Sequence, residues 1–145
     1  MHIVEMTAVT KDVFQAFQVL IPQLTEHCPP PSWETLSRMA ASGSVFVFLA
    51  REDDESGTIL GSATLATFIS PTGNHGWIED VIVDRGARRR GIGRALTEAC
   101  IEKARQIGLR EVNLTSRPSR KAANQLYREM GFIQRQTNVY RYPIE

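Results

Sequence analysis

Arg88-Arg89-Arg90-Gly91-Ile92-Gly93-Arg94 is the stretch whose residue types and spacing most directly imply chemistry. It lies between a strand-like run, residues 76–84, and an amphipathic run, residues 91–107. Two glycines at such a junction let the backbone turn tightly and approach a ligand without interference from a Cβ. The N–H groups of the first helical turn then point outward without partners, with the positive end of the helix dipole behind them. That arrangement suits a phosphate, and the arginines around it strengthen the attraction. The plain alternative is a turn that needs glycine only for packing.

Two familiar phosphate motifs fit poorly. A dinucleotide fold wants Gly-x-Gly-x-x-Gly near the first strand and an acid after the next one. Here Leu96 stands where the third glycine belongs, and the turn comes late in the chain. A P-loop ends in Gly-Lys-Ser/Thr, which is absent. Charge still points to an anion. From Arg85 to Arg128 there are 12 Lys and Arg against three acids, Glu98, Glu102 and Glu111, whereas the remainder holds 5 bases and 13 acids. A cationic region on a chain of net charge +1 suggests a locally bound anionic ligand. Nucleic acid is not the expected partner, because no aromatics interleave with the arginines to stack bases. A solvated arginine-rich face is the bland reading.

A second group lies in GWIEDVIVD, residues 76–84. Carboxylates inside an apolar strand are costly unless paired or functional, which singles out Glu79 and Asp80. Strand alternation puts them on opposite faces, and a bulge would alter that. Glu79 is the candidate base; His75 competes, although a lone loop histidine is commonly just solvated. No metal ligands are expected. Cys28 and Cys100 fit a reducing compartment without disulfides, and Cys28, beside three prolines, reads as a small hydrophobe.

The elements that must position these groups follow from periodicity. Residues 2–6 alternate as a first strand. Residues 11–26 carry Val13, Phe14, Phe17, Leu20, Ile21 and Leu24 at helical spacing, stopped by Pro29-Pro30-Pro31. Ser32 caps a second helix through Ala41. Strands follow at 44–51, 58–69 and 76–84, then a helix at 91–107 with Gly108 as its stop. A short strand at 111–115, a helix at 119–130 ended by Gly131, and closing strands at 132–135 and 138–142 complete the order. This predicts an α/β (α+β) domain spanning residues 1–145, with one mixed sheet, helices on both faces and a right-handed parallel crossover over residues 76–115.

Arg88, Gly91 and Gly93 match Arg/Gln-x-x-Gly-x-Gly/Ala after a fourth strand, and Ser119 to Phe132 (SRKAANQLYREMGF) matches a second block with Asn124 and Tyr127. With both motifs in order, the chain resembles the GNAT superfamily of acetyl-coenzyme A-dependent N-acetyltransferases; two residues, not three, separate Asn124 from Tyr127. The resemblance implies splayed parallel fourth and fifth strands, the coenzyme arm pairing with Val81, Ile82 and Val83, and backbone N–H groups from Arg89 to Arg94 (Arg89, Arg90, Gly91, Ile92, Gly93, Arg94) on the pyrophosphate. It implies Tyr127 as the acid for the leaving thiolate, Glu79 as a base acting directly or through water, and Asn124 on the coenzyme arm. The run IEDVIVD especially resembles glucosamine-phosphate acetyltransferases, a similarity too local to carry a sugar substrate. The implied reaction is acetyl transfer from acetyl-CoA to a primary amine of a small molecule or peptide in a ternary complex. A non-catalytic acyl-CoA sensor is the rival on the same scaffold. Acceptor contacts are expected from residues 24–33, Trp77 and residues 115–117.

No window is apolar and long enough for a membrane span, and the N-terminus lacks the pattern of a signal peptide, so no membrane partner and a cytoplasmic location are expected. A homodimer through the last strands is compatible with the sequence.

Overall fold

The computed structural model describes all 145 residues. The order is β1 (His2–Glu5), α1 (Lys11–Leu24), α2 (Trp33–Ala41), β2 (Val45–Arg51), β3 (Ile59–Ser70), β4 (Gly73–Val83), a single 3₁₀ turn (Arg85–Ala87), α3 (Ile92–Gln106) and α4 (Lys121–Met130). Two compact units divide the chain, Met1–Thr115 and Ser116–Glu145. No helix is long and apolar enough to cross a membrane.

In the first unit the strands form an antiparallel sheet in the order β1-β2-β3-β4. Alternation along β2 assigns its two faces. Val47 and Leu49 join Met6, Val13, Phe17, Leu20 and Leu36 in the buried cluster beneath α1 and α2. Phe46 and Gly61, on the opposite face, meet α3: the Lys103 ammonium sits 4.6 Å from the Phe46 ring centroid, and a Cβ on Gly61 would lie 3.3 Å from Leu96 Cδ1. Helices therefore cover both faces, as expected. Each fully buried Leu or Phe in these layers contributes about 1.5–3 kcal/mol relative to exposure. Ser32 caps α2 as expected, its Oγ accepting from Thr35 N at 3.1 Å.

β4 contains the irregularity that matters most. Ser62 pairs with Ile82 and Thr64 with Glu79, so β4 spends one residue more than β3 over this interval. Asp80 absorbs the surplus with φ +52. This is a β-bulge. It rephases the strand: Ile78 pairs with Leu65 on the α3 face, whereas Ile82 joins the α1 cluster on the other.

Three expected strands differ. Residues 111–115 supply a single parallel bridge, Asn113 to Trp77, and no regular strand. The bulge bends β4 away immediately after the bridge, so a longer ladder has nothing straight to follow. Residues 132–135 and 138–142 form no strands, and Ile133, Val139, Tyr140 and Tyr142 are exposed. Their alternation encodes β-propensity, but a strand needs a paired neighbour to gain from it. α1 also stops at Leu24, two residues short of the expected end. Cys28, read from the sequence as a small hydrophobe, is exposed, while Cys100 is buried.

Gly61 pairs with Val83 where a Cβ would lie 2.6 Å from Ile82 O. Gly61→Val must push β4 and α3 apart. It should destabilise the protein by about 1–3 kcal/mol, read as a lower urea midpoint than wild type.

Candidate active site

Hydrogen bonding shows where the sheet opens. Ile78 N donates to Asn113 O at 2.8 Å, and Asn113 N donates to Gly76 O at 3.0 Å. Beyond Ile78 the outer edge of β4 has no strand beside it. The open segment contains Val81, Ile82 and Val83, of which Ile82 is buried and the other two are half-buried. An unpaired edge of this kind can accept an extended ligand arm as an added strand.

Glu79 and Asp80 stand exposed at the start of that opening, adjacent through the bulge. The Glu79 carboxyl is raised above its ordinary range, first by partial loss of solvation and then by the Asp80 charge beside it. A raised carboxyl is the direction that suits a base near neutral pH. His75 is engaged elsewhere: its Nε2 lies 2.7 Å from Ser70 Oγ and 2.9 Å from Thr72 Oγ1, and its ring stacks on Phe68 with centroids 5.1 Å apart.

From β4 the chain enters the arginine–glycine turn through Asp84, whose Oδ2 accepts from Gly86 N at 3.1 Å while its O accepts from Ala87 N at 2.9 Å. Arg89 and Gly91 take φ +64 and +78, so the backbone enters the left-handed region twice within three residues. A Cβ at Gly91 would meet no atom within 4 Å, so the dihedral, not crowding, is what asks for glycine. Gly91 caps α3 without a side-chain acceptor, and the first turn carries no acid. The first helical bond runs from Ala95 N to Gly91 O at 3.0 Å. The amides of Ile92 and Gly93, in the first turn, therefore have no helical acceptor and suit an anion. Side chains around them divide in use. Arg90 makes a two-pronged contact with Glu52, at 3.1 and 2.8 Å, which holds Glu52 below the usual carboxylate range. Arg94 lies 3.9 Å from Glu98, and Arg88 and Arg89 are exposed.

Asn124 and Tyr127 lie in the second unit, on α4. Asn124 Nδ2 donates to Arg117 O at 2.9 Å, tying the preceding loop to the helix. Tyr127 is buried and meets Phe132 edge-on, with ring centroids 5.6 Å apart. Gly131, at φ +100, ends the helix so that Phe132 N can donate to Tyr127 O at 2.9 Å.

Three supporting residues escape sequence reasoning. Gln23 contacts Asp84 and Arg85 across 61 and 62 residues, and Glu52 contacts Arg90 across 38, distances no local pattern reports. Asp84, an aspartate ending a strand just before Arg-Gly, is a recognisable turn signal.

Residues 11–132 match the model of the acetyltransferase (GNAT) family. Glucosamine 6-phosphate N-acetyltransferase 1 of Oryza sativa subsp. japonica is 29% identical over 139 residues, covering 90% of this chain and 81% of that protein. An acetyltransferase structure from Trypanosoma brucei superposes with TM-score 0.75 at 26% identity, covering 98% of this chain and all of that one, 100%. AAC(6')-Iy in complex with the bisubstrate analogue CoA-S-monomethyl-acetylneamine superposes with TM-score 0.77 at 18% identity, covering 99% and 100%.

A raised carboxyl pKa means that the folded state holds the Glu79 proton more tightly than the unfolded chain, so this group opposes folding as pH rises through its titration range. Asp80→Asn removes one of the two causes. The Glu79 resonance in a carbon-detected NMR titration should move to lower pH in that variant while staying above the ordinary carboxylate range, because desolvation remains.

Proposed function

Since the chain belongs to the acetyltransferase (GNAT) family and takes acetyl-CoA as cosubstrate, we propose that it transfers the acetyl group directly to a primary amine of a small molecule or peptide, within a ternary complex. The observation that carries this reading is the open edge of β4 beyond Ile78, lying next in sequence to the uncapped start of α3. The first offers backbone pairing for an extended arm, and the second offers amides for a pyrophosphate.

In this reading the backbone of Val81, Ile82 and Val83 holds the pantetheine arm. The amides from Arg89 to Arg94 hold the pyrophosphate, and Arg88 with its neighbours supplies positive potential. Asn124 contacts the coenzyme arm. An alkylammonium of pKa about 10.4 must lose a proton before it can attack. Glu79 assists that loss, directly or through water, and its raised carboxyl and exposed position at the bulge support the role. The amine nitrogen attacks the thioester carbon; the tetrahedral oxyanion meets a strand N–H at the bulge; the C–S bond breaks; and Tyr127 protonates the thiolate. The family match, residues 11–132, runs through both compact units, which supports one functional domain over residues 1–145. The names of the relatives point to small-molecule amines, so the acceptor search begins with glucosamine 6-phosphate and aminoglycosides.

A coenzyme-release assay over amino sugars, aminoglycosides, polyamines, amino acids and peptides tests the reaction; no release above hydrolysis with any amine would remove it. Gly91→Val should weaken acetyl-CoA binding in calorimetry while the protein remains folded, and unchanged affinity would exclude the turn as the phosphate site. With an acceptor in hand, Tyr127→Phe should lower kcat by roughly 10²–10⁴-fold with little change in acetyl-CoA affinity. Glu79→Gln should flatten the basic rise of the pH–rate profile.

A further inference from the structure

Gln23, in the last turn of α1, reaches the far end of β4. Its Nε2 donates to Asp84 Oδ1 at 2.8 Å and to Val19 O at 3.2 Å, and its Oε1 accepts from Arg85 N at 2.9 Å. The amide is used on both sides, and its orientation is determined: a flipped amide would set N–H against N–H and carbonyl oxygen against carboxylate. Asp84 in turn holds Gly86 N through its other carboxylate oxygen. One side chain thus binds the first peptide plane after Asp84 directly, through Arg85 N, and the next through Asp84.

The next residues in sequence point the other way. Immediately after Gln23 the chain leaves α1 into a loop bordering a cavity of about 470 Å³, lined by Pro22, Thr25, His27 and Cys28 among others. A second α1 glutamine, Gln18, holds this loop directly, its Nε2 donating to Pro31 O at 3.2 Å, with no contact to the turn among its hydrogen bonds. Gln18 and Gln23 therefore make bonds of the same kind from the same helix, but only Gln23 joins α1 to the phosphate-binding segment.

We propose that Gln23 is a positioning residue for coenzyme binding, setting the direction of the chain between β4 and α3 and tying that turn to the last turn of α1. The inference rests on the reading of residues 88–94 as the pyrophosphate site. Without Gln23 the carboxylate of Asp84 keeps only the Gly86 amide, and the Arg85 amide loses its acceptor. The turn then samples orientations in which its amides no longer converge, and coenzyme binding must supply the ordering that Gln23 now provides. Ordering of the turn by the coenzyme should then steady the end of α1 and, through it, the adjoining residues 25–28.

Four proteins test this by calorimetry with acetyl-CoA: wild type, Gln23→Met, Gln23→Glu and Gln18→Ala. Methionine keeps the shape and removes the bonds, and Kd should rise about tenfold, the scale of one or two partly buried hydrogen bonds. Gln23→Glu retains an acceptor but opposes Asp84 with a second carboxylate, and should weaken binding further. Gln18→Ala should leave Kd unchanged. Hydrogen exchange at residues 25–28 should slow on adding saturating acetyl-CoA in wild type and Gln18→Ala, and should not respond in Gln23→Met. Equal affinities in all four proteins would overturn the inference, as would equal losses in Gln18→Ala and Gln23→Met, which would mean only a loosened loop. Absence of acetyl-CoA binding in folded wild type would instead remove the pyrophosphate site, and the inference with it.

Discussion

A single surplus residue in β4 organises the molecule. If β4 matched β3 residue for residue, Ile78 and Ile82 would lie on one face and the strand would run straight past Asn113. With Asp80 inserted at φ +52, Ile78 packs toward α3 while Ile82 seals the α1 cluster. The same bend ends pairing with Asn113 and leaves the following segment open. It also brings two acidic side chains together at the mouth of that opening, where partial desolvation and mutual repulsion raise Glu79. Left-handed backbone at a non-glycine residue costs on the order of 1–3 kcal/mol and persists where its surroundings over-determine it. Here the ladder to β3 and two buried isoleucines do so.

The arginine–glycine turn is held by its neighbours and left open at its centre. Asp84 closes its entrance, Arg90 anchors its middle to Glu52 beside β2, and Ile92 and Leu96 bury the base of α3. What faces outward is the start of α3, which no side chain caps. The cationic character of the segment is thus divided: one arginine works as a strut, while Arg88 and Arg89 remain at the surface. A counted charge excess indicates an anion, but the backbone determines where it would sit.

Legibility in the sequence followed the range of the interaction. β2 and β3 lie within a residue of where β-branched and aromatic runs place them, and Gly108 and Gly131 stop their helices at φ +83 and +100, as glycines after periodic segments should. The glycine turn and the Glu79-Asp80 pair were visible as residues. The location of the bulge was not, because adjacent carboxylates announce an irregularity without saying which residue is extra. The partners of Gln23 and of Arg90 were invisible, since only the folded chain brings them together. The tail misled for the complementary reason: Val139, Tyr140 and Tyr142 have the composition of a strand, but composition cannot supply the neighbour.

The bulge also constrains how this chain can change in length. Substitution at Asp80 alters a side chain and some local strain. Losing Asp80 would restore a regular ladder in which Glu79 still faces Thr64 and Ile82 still faces Ser62, so by the period of two both flanking isoleucines would keep their faces. What such a deletion would remove is the bend, and with it the opening beyond Ile78. The core would therefore accept the shorter strand, whereas the opening would not. The residue count of β4 is heritable information of a different kind from its spelling: the opening depends on it, while the faces of Ile78 and Ile82 do not.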